Sequence, residues 1–260
     1  FAIFKPQVGD RWDGNVKKYT ISADGTILDS SSPSKDAIDS TTGFFSDSAK
    51  SAWSKEADGK SVTDGGVAEQ LSASRTLYTY INNTDASNEN LTSSSNVIEK
   101  TNTLLSKTVL NITAESDAYR ETLIDWLLGK DVNNVNGNGT SAARHFLADP
   151  LHSQPLAVAY GGTSDNPDTQ LYYADNMGIL HSVDTDPGEE RFGFIPQELL
   201  PNVDRYYSEA TGNSKPYGLD GPLTAWVNDV NNNGVIYESS GALETDEGIY
   251  LFVGMRRGGQ

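Results

Sequence analysis

The sequence predicts a mainly β protein, and three observations in its C-terminal half carry that prediction. Four short apolar runs have the composition of strands: residues 156–160, 171–174, 179–183 and 191–195. Asn176, Met177 and Gly178 form a tight-turn sequence between the second and third runs. Residues 185–188 (TDPG) are a stronger turn sequence before the fourth run. Four short antiparallel strands in about 45 residues match the size of one β-propeller blade.

The N-terminal half predicts a mixed β/α segment with one clear helix. Asp24-Gly25 between two apolar stretches is typical of a hairpin within residues 9–30. Residues 62–71 predict a short helix and residues 75–81 a strand. We therefore divide the chain into a β-rich segment, 1–143, and a second part, 144–260, that holds the first blade or blades of an incomplete propeller.

The clear helix is predicted over residues 113–128. Thr113 can cap its N-terminus, and Gly129 suits the position after its last turn. Four large residues fall on one face at helical spacing and are expected to pack in the core: Tyr119, Leu123, Trp126 and Leu127. Residues 131–140, rich in Asn and Gly, then read as the linker into the second part.

Composition restricts the classes of partner. The chain has 19 basic and 36 acidic residues, a net charge of −17, which argues against nucleic acid or an anionic membrane as the main partner. Cysteine is absent, so neither disulfides nor thiolate metal sites can form. No apolar stretch of about 18 residues occurs, and no membrane span is predicted.

The ends of the sequence suggest a part of a larger protein. Phe1 is neither an initiating Met nor the start of a signal peptide, and the last ten residues stop just after a strand pattern. A single blade would leave strand edges exposed, because closed propellers need several blades. We expect the remaining blades to lie beyond Gln260.

The sharpest local motif lies at residues 229–234 (DVNNNG), which fits the first half of a calcium-binding loop. Asp229, Asn231 and Asn233 occupy the positions whose side chains converge on the ion, and Gly234 allows the sharp turn. Val235 would contribute its backbone carbonyl. The alternative is a metal-free Asn-Gly turn in a hairpin between residues 227 and 237.

The second half of this loop departs from the EF-hand pattern. Tyr237 and Ser240 stand at positions 9 and 12, and the nearest carboxylate is Glu238 at position 10. Glu244 and Asp246 are later candidates. With one clear carboxylate among the ligands, the expected calcium affinity is millimolar.

The remaining polar motifs give no catalytic or cofactor site. His145, His152 and His181 lack the spacing of a zinc pair. The repeated Leu-His-Ser at the latter two suggests a position where His hydrogen-bonds between strands. Serine-nucleophile and phosphate-loop patterns are absent. Arg256-Arg257 reads as a turn after the strand at 249–253. We therefore expect a protein that is not an enzyme.

An ordered set of segments resembles one known family. The set runs GDRWDGNVKKYTISADGTILD, AIDSTTGFFSDSAKSAWS, VTDGGVAEQL, LIDWLLGKDV, DPLHSQP, YYADNMGILHSVD, FGFIPQELLP, DGPLTAWVNDV and LFVGMRRGGQ. In this order they resemble the C-terminal propeller, and the region preceding it, of the PilY family of type IV pilus tip-associated adhesins and assembly factors. The propeller of that family contains a calcium loop of this general type, which by resemblance maps onto Asp229, Asn231 and Asn233.

The resemblance implies a role in type IV pilus biogenesis and adhesion. It implies a place at the pilus tip on the cell surface, reached through the periplasm and outer membrane. It also implies minor pilins of the tip complex and a host or abiotic surface as partners, with calcium biasing pilus extension against retraction. Two alternatives stay open. One is a secreted enzyme of the quinoprotein dehydrogenase type, whose propeller blades are similarly short, and the other is a metal-free scaffold module.

Overall fold

A computed structural model describes residues 1–81, 90–209, 215–237 and 243–259. Within these ranges the protein is mainly β, with twelve strands and three α-helices. The strands are β1 Ala2–Lys5, β2 Asp13–Val16, β3 Thr20–Ile21, β4 Ile27–Leu28, β5 Leu77–Tyr78, β6 Leu147–Ala148, β7 Leu156–Gly162, β8 Pro167–Ala174, β9 Leu180–Asp184, β10 Glu190–Phe194, β11 Leu223–Asn228 and β12 Gly248–Val253. The helices are α1 Gly66–Gln70, α2 Asp117–Leu127 and α3 Val203–Tyr207. None of the helices found in these ranges is long and apolar enough to cross a membrane.

The largest sheet has the strand order β5-β10-β9-β8-β7. Its last four strands form an antiparallel meander, which confirms the four strands predicted from the sequence. The fifth strand, β5, pairs in parallel with β10 and is much shorter than the strand predicted over residues 75–81. None of the sheets within the described ranges closes on itself. The fold class is mainly β, as predicted from the sequence. The propeller stays a prediction.

Both predicted turns of the meander require glycine. Gly178 has a φ of 96°, and its turn is closed by the Asp175 side chain, which accepts from the Ile179 amide at 2.9 Å. Gly188, in the TDPG turn, has a φ of 78°, and a Cβ there would lie 2.3 Å from Cγ of Trp53. Gly188 therefore allows the meander to pack against Trp53 of the N-terminal half.

The N-terminal half contains a hairpin and a three-stranded sheet. Strands β3 and β4 pair around a turn at Gly25, as predicted, whereas β2 joins the separate sheet β1-β2-β6. Asn15, in β2, is buried. Its Oδ1 accepts from the Ala68 amide at 3.1 Å and its Nδ2 donates to the Gly65 carbonyl at 2.9 Å, so it anchors the start of α1. Helix α1 is shorter than the 62–71 predicted for it.

Helix α2 confirms the strongest helix prediction with one correction at its start. The cap is Ser116, whose Oγ accepts from the Tyr119 amide at 3.1 Å, rather than Thr113. Gly129 follows the helix with a φ of 96°, as expected after a last helical turn. Leu123, Trp126 and Leu127 are fully buried, which confirms the predicted apolar face.

The larger hydrophobic cluster draws its side chains from both sides of residue 143. Leu77, Leu123 and Trp126 pack in the same cluster as Ile179 and Leu199. The described parts of the two predicted domains therefore share a core, and the boundary between them stays a prediction.

The aromatic residues between Phe44 and Trp53 have different environments. Trp53 is buried, and Phe45 stacks on Tyr19 with ring centroids 4.7 Å apart. Phe44 is exposed instead. The Asn, Ser and Thr residues of 82–95 predict a surface loop, most of which lies outside the described residues.

Candidate metal centre

The predicted calcium loop lies between the two strands of a separate β-hairpin. Strands β11 and β12 pair antiparallel over their whole length, with Asn228 opposite Gly248. The tight hairpin between residues 227 and 237 is not formed, because the partner of β11 begins at Gly248. Metal binding by the loop and its metal-free alternative both stay predictions. The chain between Asn228 and Gly248 is instead a long excursion that carries the Asp/Asn/Gly motif.

The motif forms a compact loop in which side-chain oxygens face inward. The two oxygens of Asp229 accept from the amides of Asn233 at 3.2 Å and Gly234 at 2.8 Å. Oδ1 of Asn231 accepts from the Asn233 amide at 2.9 Å, and Oδ1 of Asn233 accepts from the Val235 amide at 2.6 Å. Gly234 has a φ of 77°, which explains the glycine at this position. The structure thus brings the three predicted side chains into one loop.

A carboxylate from the returning chain closes the loop. Glu244 accepts from the side-chain amide nitrogens of Asn231 and of Asn233, the latter at 3.2 Å. Glu244, one of the later candidates from the sequence, is thus the carboxylate that the structure places beside the motif. Glu238, the residue predicted for this role, lies outside the described residues.

A second carboxylate at the base of the loop was missed by sequence reasoning. Glu247 is buried, and its Oε1 accepts from the amides of Val230 at 3.0 Å and Asn231 at 3.2 Å. Its Oε2 is buried without a hydrogen-bond partner. A buried, unpartnered carboxylate oxygen is costly unless a proton or a cation satisfies it. The acidic run at 244–247 (ETDE) was the available signal.

This set of donors suits a hard cation. Calcium prefers carboxylate, amide and carbonyl oxygens. The loop carries such oxygens on Asp229, Asn231, Asn233 and Glu244, and the part of the Val235 carbonyl stays a prediction. In the described part of the chain no three Asp, Glu, His or Cys side chains group as a metal site. The calcium site stays a prediction, and amide ligands beside few carboxylates predict weak calcium binding.

Two of the three histidines form hydrogen bonds within the fold, away from the calcium loop. His145 has a φ of 52° and contacts the Ala68 carbonyl through Nδ1 at 3.2 Å. His181 is fully buried in β9 and contacts Asp175 through Nε2 at 3.1 Å and Glu190 through Nδ1 at 2.7 Å. The predicted role of His181 in hydrogen bonding between strands is confirmed, since Glu190 belongs to β10.

The His181 cluster is a buried network of alternating charge. Arg75 donates to Glu190 through Nε at 2.6 Å and through Nη2 at 2.7 Å. Burial lowers the pKa of His181, but its bonds to Asp175 and Glu190 outweigh this and raise the pKa above its ordinary value. Burial raises the pKa of Glu190, yet Arg75 and His181 outweigh it and lower that pKa to about 2. This network joins the segment that precedes β5 to strands β9 and β10.

The hairpin presents an aromatic surface on one face. Trp226 and Tyr250 are exposed and stack with ring centroids 5.0 Å apart. Phe252, two residues further along β12, is also exposed. On the other face Ala225 and Leu251 pack against the main core. Both faces of this hairpin are thus apolar, as in a sheet that is covered on two sides.

Part of the chain is similar in sequence to a curated protein. The chain is 29% identical over 97 residues to a curated protein of Xylella fastidiosa named "Type IV pilus biogenesis factor PilY1 homolog". The aligned part is 37% of this chain and 7% of that protein. No protein-family model matches the chain, and no solved structure matches it either.

Proposed function

We propose that this chain belongs to a type IV pilus biogenesis factor that acts at the pilus tip and is not an enzyme. The observation that carries the proposal is the 29% identity to the PilY1 homolog of Xylella fastidiosa. The partners would be minor pilins of the tip complex, together with the host or abiotic surface that the pilus touches. The place of action would be extracellular, at the cell surface.

The architecture supports a propeller as the fold of this part. Strands β7 to β10 form a four-stranded meander of the kind that makes a blade. The next hairpin, β11 and β12, is apolar on both faces, with Trp226 and Tyr250 on the outer one. Blades of a propeller cover one another in this way, so we assign the hairpin to a second blade.

Calcium would regulate this factor through the loop at Asp229. The loop joins β11 to β12, so an ion bound by Asp229 and Glu244 would hold the long excursion against the hairpin. Coordination would also engage the side chains of Asn231 and Glu244, which hydrogen-bond to each other. Calcium would thus change which surface is presented to a partner, while the strands beneath stay paired.

A genetic complementation experiment tests this function. Deleting the gene in its own bacterium is expected to reduce surface pili, counted by electron microscopy, and to reduce twitching motility. The wild-type gene should restore both. The Asp229→Ala variant should restore them with an altered dependence on external calcium, because the loop loses its first carboxylate ligand.

The matched control is Asp186→Ala, which removes an exposed carboxylate from the turn between β9 and β10. It should behave as wild type at every calcium concentration. Normal piliation in the deletion strain would contradict the pilus role. Wild-type behaviour of Asp229→Ala at all calcium concentrations would contradict the calcium mechanism alone.

A further inference from the structure

A cavity of about 580 Å³ lies beside the end of helix α2. Its wall includes Trp126 of α2, Arg11 before β2, and Arg144 and Phe146 just before β6. Residues of the exposed loop 133–138 line it as well. The volume suits a small molecule, since such sites typically occupy roughly 300–1,000 Å³. The cavity shares no residue with the calcium loop.

Arg144 is held in the wall of this cavity by its backbone and by two aromatic rings. Its amide donates to the Gly129 carbonyl at 2.8 Å. Its Cζ lies 3.9 Å from the centroid of a Trp126 ring and 4.8 Å from that of Phe146. Aromatic rings attract a cation through their faces, whereas the N–H donors of a guanidinium lie in its own plane. The rings therefore fix the position of the charge and leave its donors to other partners.

Most of the donors of Arg144 have no partner. Nη2 donates to the Trp126 carbonyl at 3.1 Å. Nε and Nη1 are shielded from solvent and make no hydrogen bond. In the described part of the chain, no carboxylate forms an ion pair with Arg144. A shielded cation without a counterion is costly, because neither water nor an opposite charge compensates it.

The carboxylates of the cavity wall are already engaged. Those among the described residues have these partners: Asp13 with Gln7, Asp64 with Thr63, Asp131 with two amides of its own loop, and Glu209 with Arg11. Burial lowers the pKa of Arg144 well below its ordinary value, and the positive charges of Arg11 and Arg75 lower it further. The protein itself thus leaves the charge of Arg144 uncompensated.

We propose that this cavity binds a small hydroxylated carboxylic acid, of the class of the sugar acids, with Arg144 as the counterion of its carboxylate. The planar guanidinium matches a carboxylate in shape and charge. The side-chain amides of Asn133, Asn136 and Asn138 supply donors and acceptors for hydroxyl groups. The acidic groups of the wall disfavour a ligand with several negative charges. This site needs neither calcium nor the pilus assignment.

Binding at this site requires movement of the exposed loop. Nε and Nη1 are shielded, so the carboxylate reaches them only when side chains of residues 133–138 move with it. The start of the loop is fixed, since Asp131 accepts from the amides of Val135 at 2.9 Å and Asn136 at 2.7 Å. A bound acid should therefore slow hydrogen exchange of the amides at 133–138.

Isothermal titration calorimetry of the whole chain tests this site with four probes. They are glucuronate, glucose, acetate and acetyl-Gly-Glu-Gly-amide. Glucuronate should bind saturably and more tightly than the other three. Arg144→Met keeps the apolar stem and removes the charge, and it should weaken glucuronate binding by about tenfold or more, as expected for a lost charged hydrogen bond. Arg144→Lys keeps the charge without the planar donors and should bind with intermediate affinity.

Two further variants keep the test decisive. Arg256→Met is the matched control, because it removes an equal charge from an exposed residue outside the cavity. Its glucuronate binding should stay within about twofold of wild type, since exposed charges at a distance are screened. Asn138→Ala alters an exposed loop residue and serves if Arg144→Met does not fold. It should weaken glucuronate binding by about threefold, the loss of one neutral hydrogen bond, and leave acetate binding unchanged.

Several results would overturn the proposal. Glucose binding as tightly as glucuronate would show that the carboxylate is not recognised. Undiminished glucuronate binding by Arg144→Met, or no binding by wild type at tens of millimolar, would remove Arg144 from any such site. Tighter binding of the Glu peptide than of glucuronate would overturn the assignment to a sugar acid. Unchanged hydrogen exchange at 133–138 with saturating glucuronate would place the ligand elsewhere.

Discussion

Glu190→Gln is expected to lower the free energy of unfolding by about 3–5 kcal/mol, the usual cost of removing one partner of a buried ion pair. The side chains of Arg75 and Glu190 are only 1% and 3% exposed. Without the carboxylate, Arg75 would face His181, whose Nδ1 lies 3.4 Å from its Nη2. Urea unfolding measures the loss. The control Glu189→Gln alters the neighbouring exposed carboxylate and should change stability by less than about 0.5 kcal/mol.

The buried cluster of Arg75, His181 and Glu190 determines how this loss of unfolding free energy depends on pH. The pKa of Glu190 falls from 4.5 to about 2 on folding, so its contribution is present above about 4.5 and is lost as the pH falls through 2. The pKa of His181 is raised above 6.5, so its contribution is present below 6.5 and is lost as the pH rises through the raised value. The difference in the free energy of unfolding between wild type and Glu190→Gln should therefore be largest between pH 4.5 and 6.5. If the difference in unfolding free energy were the same at every pH, this account of the cluster would be contradicted.

Calcium is expected to stabilise the wild-type chain and to leave Asp229→Ala unaffected. At a calcium concentration ten times the Kd, the stabilisation would be about 1.4 kcal/mol, raising the Tm by about 3–6 °C in a chain of this size. Glu244→Gln should abolish the shift as well, because the structure gives that residue the closing carboxylate. Thermal unfolding followed by circular dichroism measures these shifts.

The controls separate a specific site from general charge screening. Asp186→Ala should keep the full calcium response, and magnesium at the same concentration should give a smaller one, since it demands near-octahedral geometry. An equal shift in wild type and Asp229→Ala would show that calcium acts on the acidic surface at large. No shift in wild type at tens of millimolar would remove calcium from the proposal.

Local patterns predicted the parts of the fold that local chemistry determines. The meander followed from strand composition and from the turns at Gly178 and Gly188, whose positive φ angles need glycine. Helix α2 followed from its apolar face, while its cap was misplaced because Thr113 and Ser116 are both good capping residues. Choosing between them requires knowing where the preceding chain turns.

Long-range pairing decided what the sequence could not show. The motif at Asp229 was visible, but Glu244 and Glu247 reach it only because β11 pairs with β12 across the long excursion. Likewise, the Leu-His-Ser repeat suggested one role for two histidines. His181 bonds to a neighbouring strand, whereas His152 meets Asp220, 68 residues further along the chain. Such contacts depend on tertiary packing, which no short motif encodes.

Immunogold electron microscopy tests the pilus assignment most directly. An antibody raised against this chain would be applied to whole cells and to sheared filaments, with the deletion strain as the control for specificity. The proposed function predicts gold at filament tips and the protein in the sheared pilus fraction. Gold absent from filaments, with the protein free or periplasmic, would contradict it.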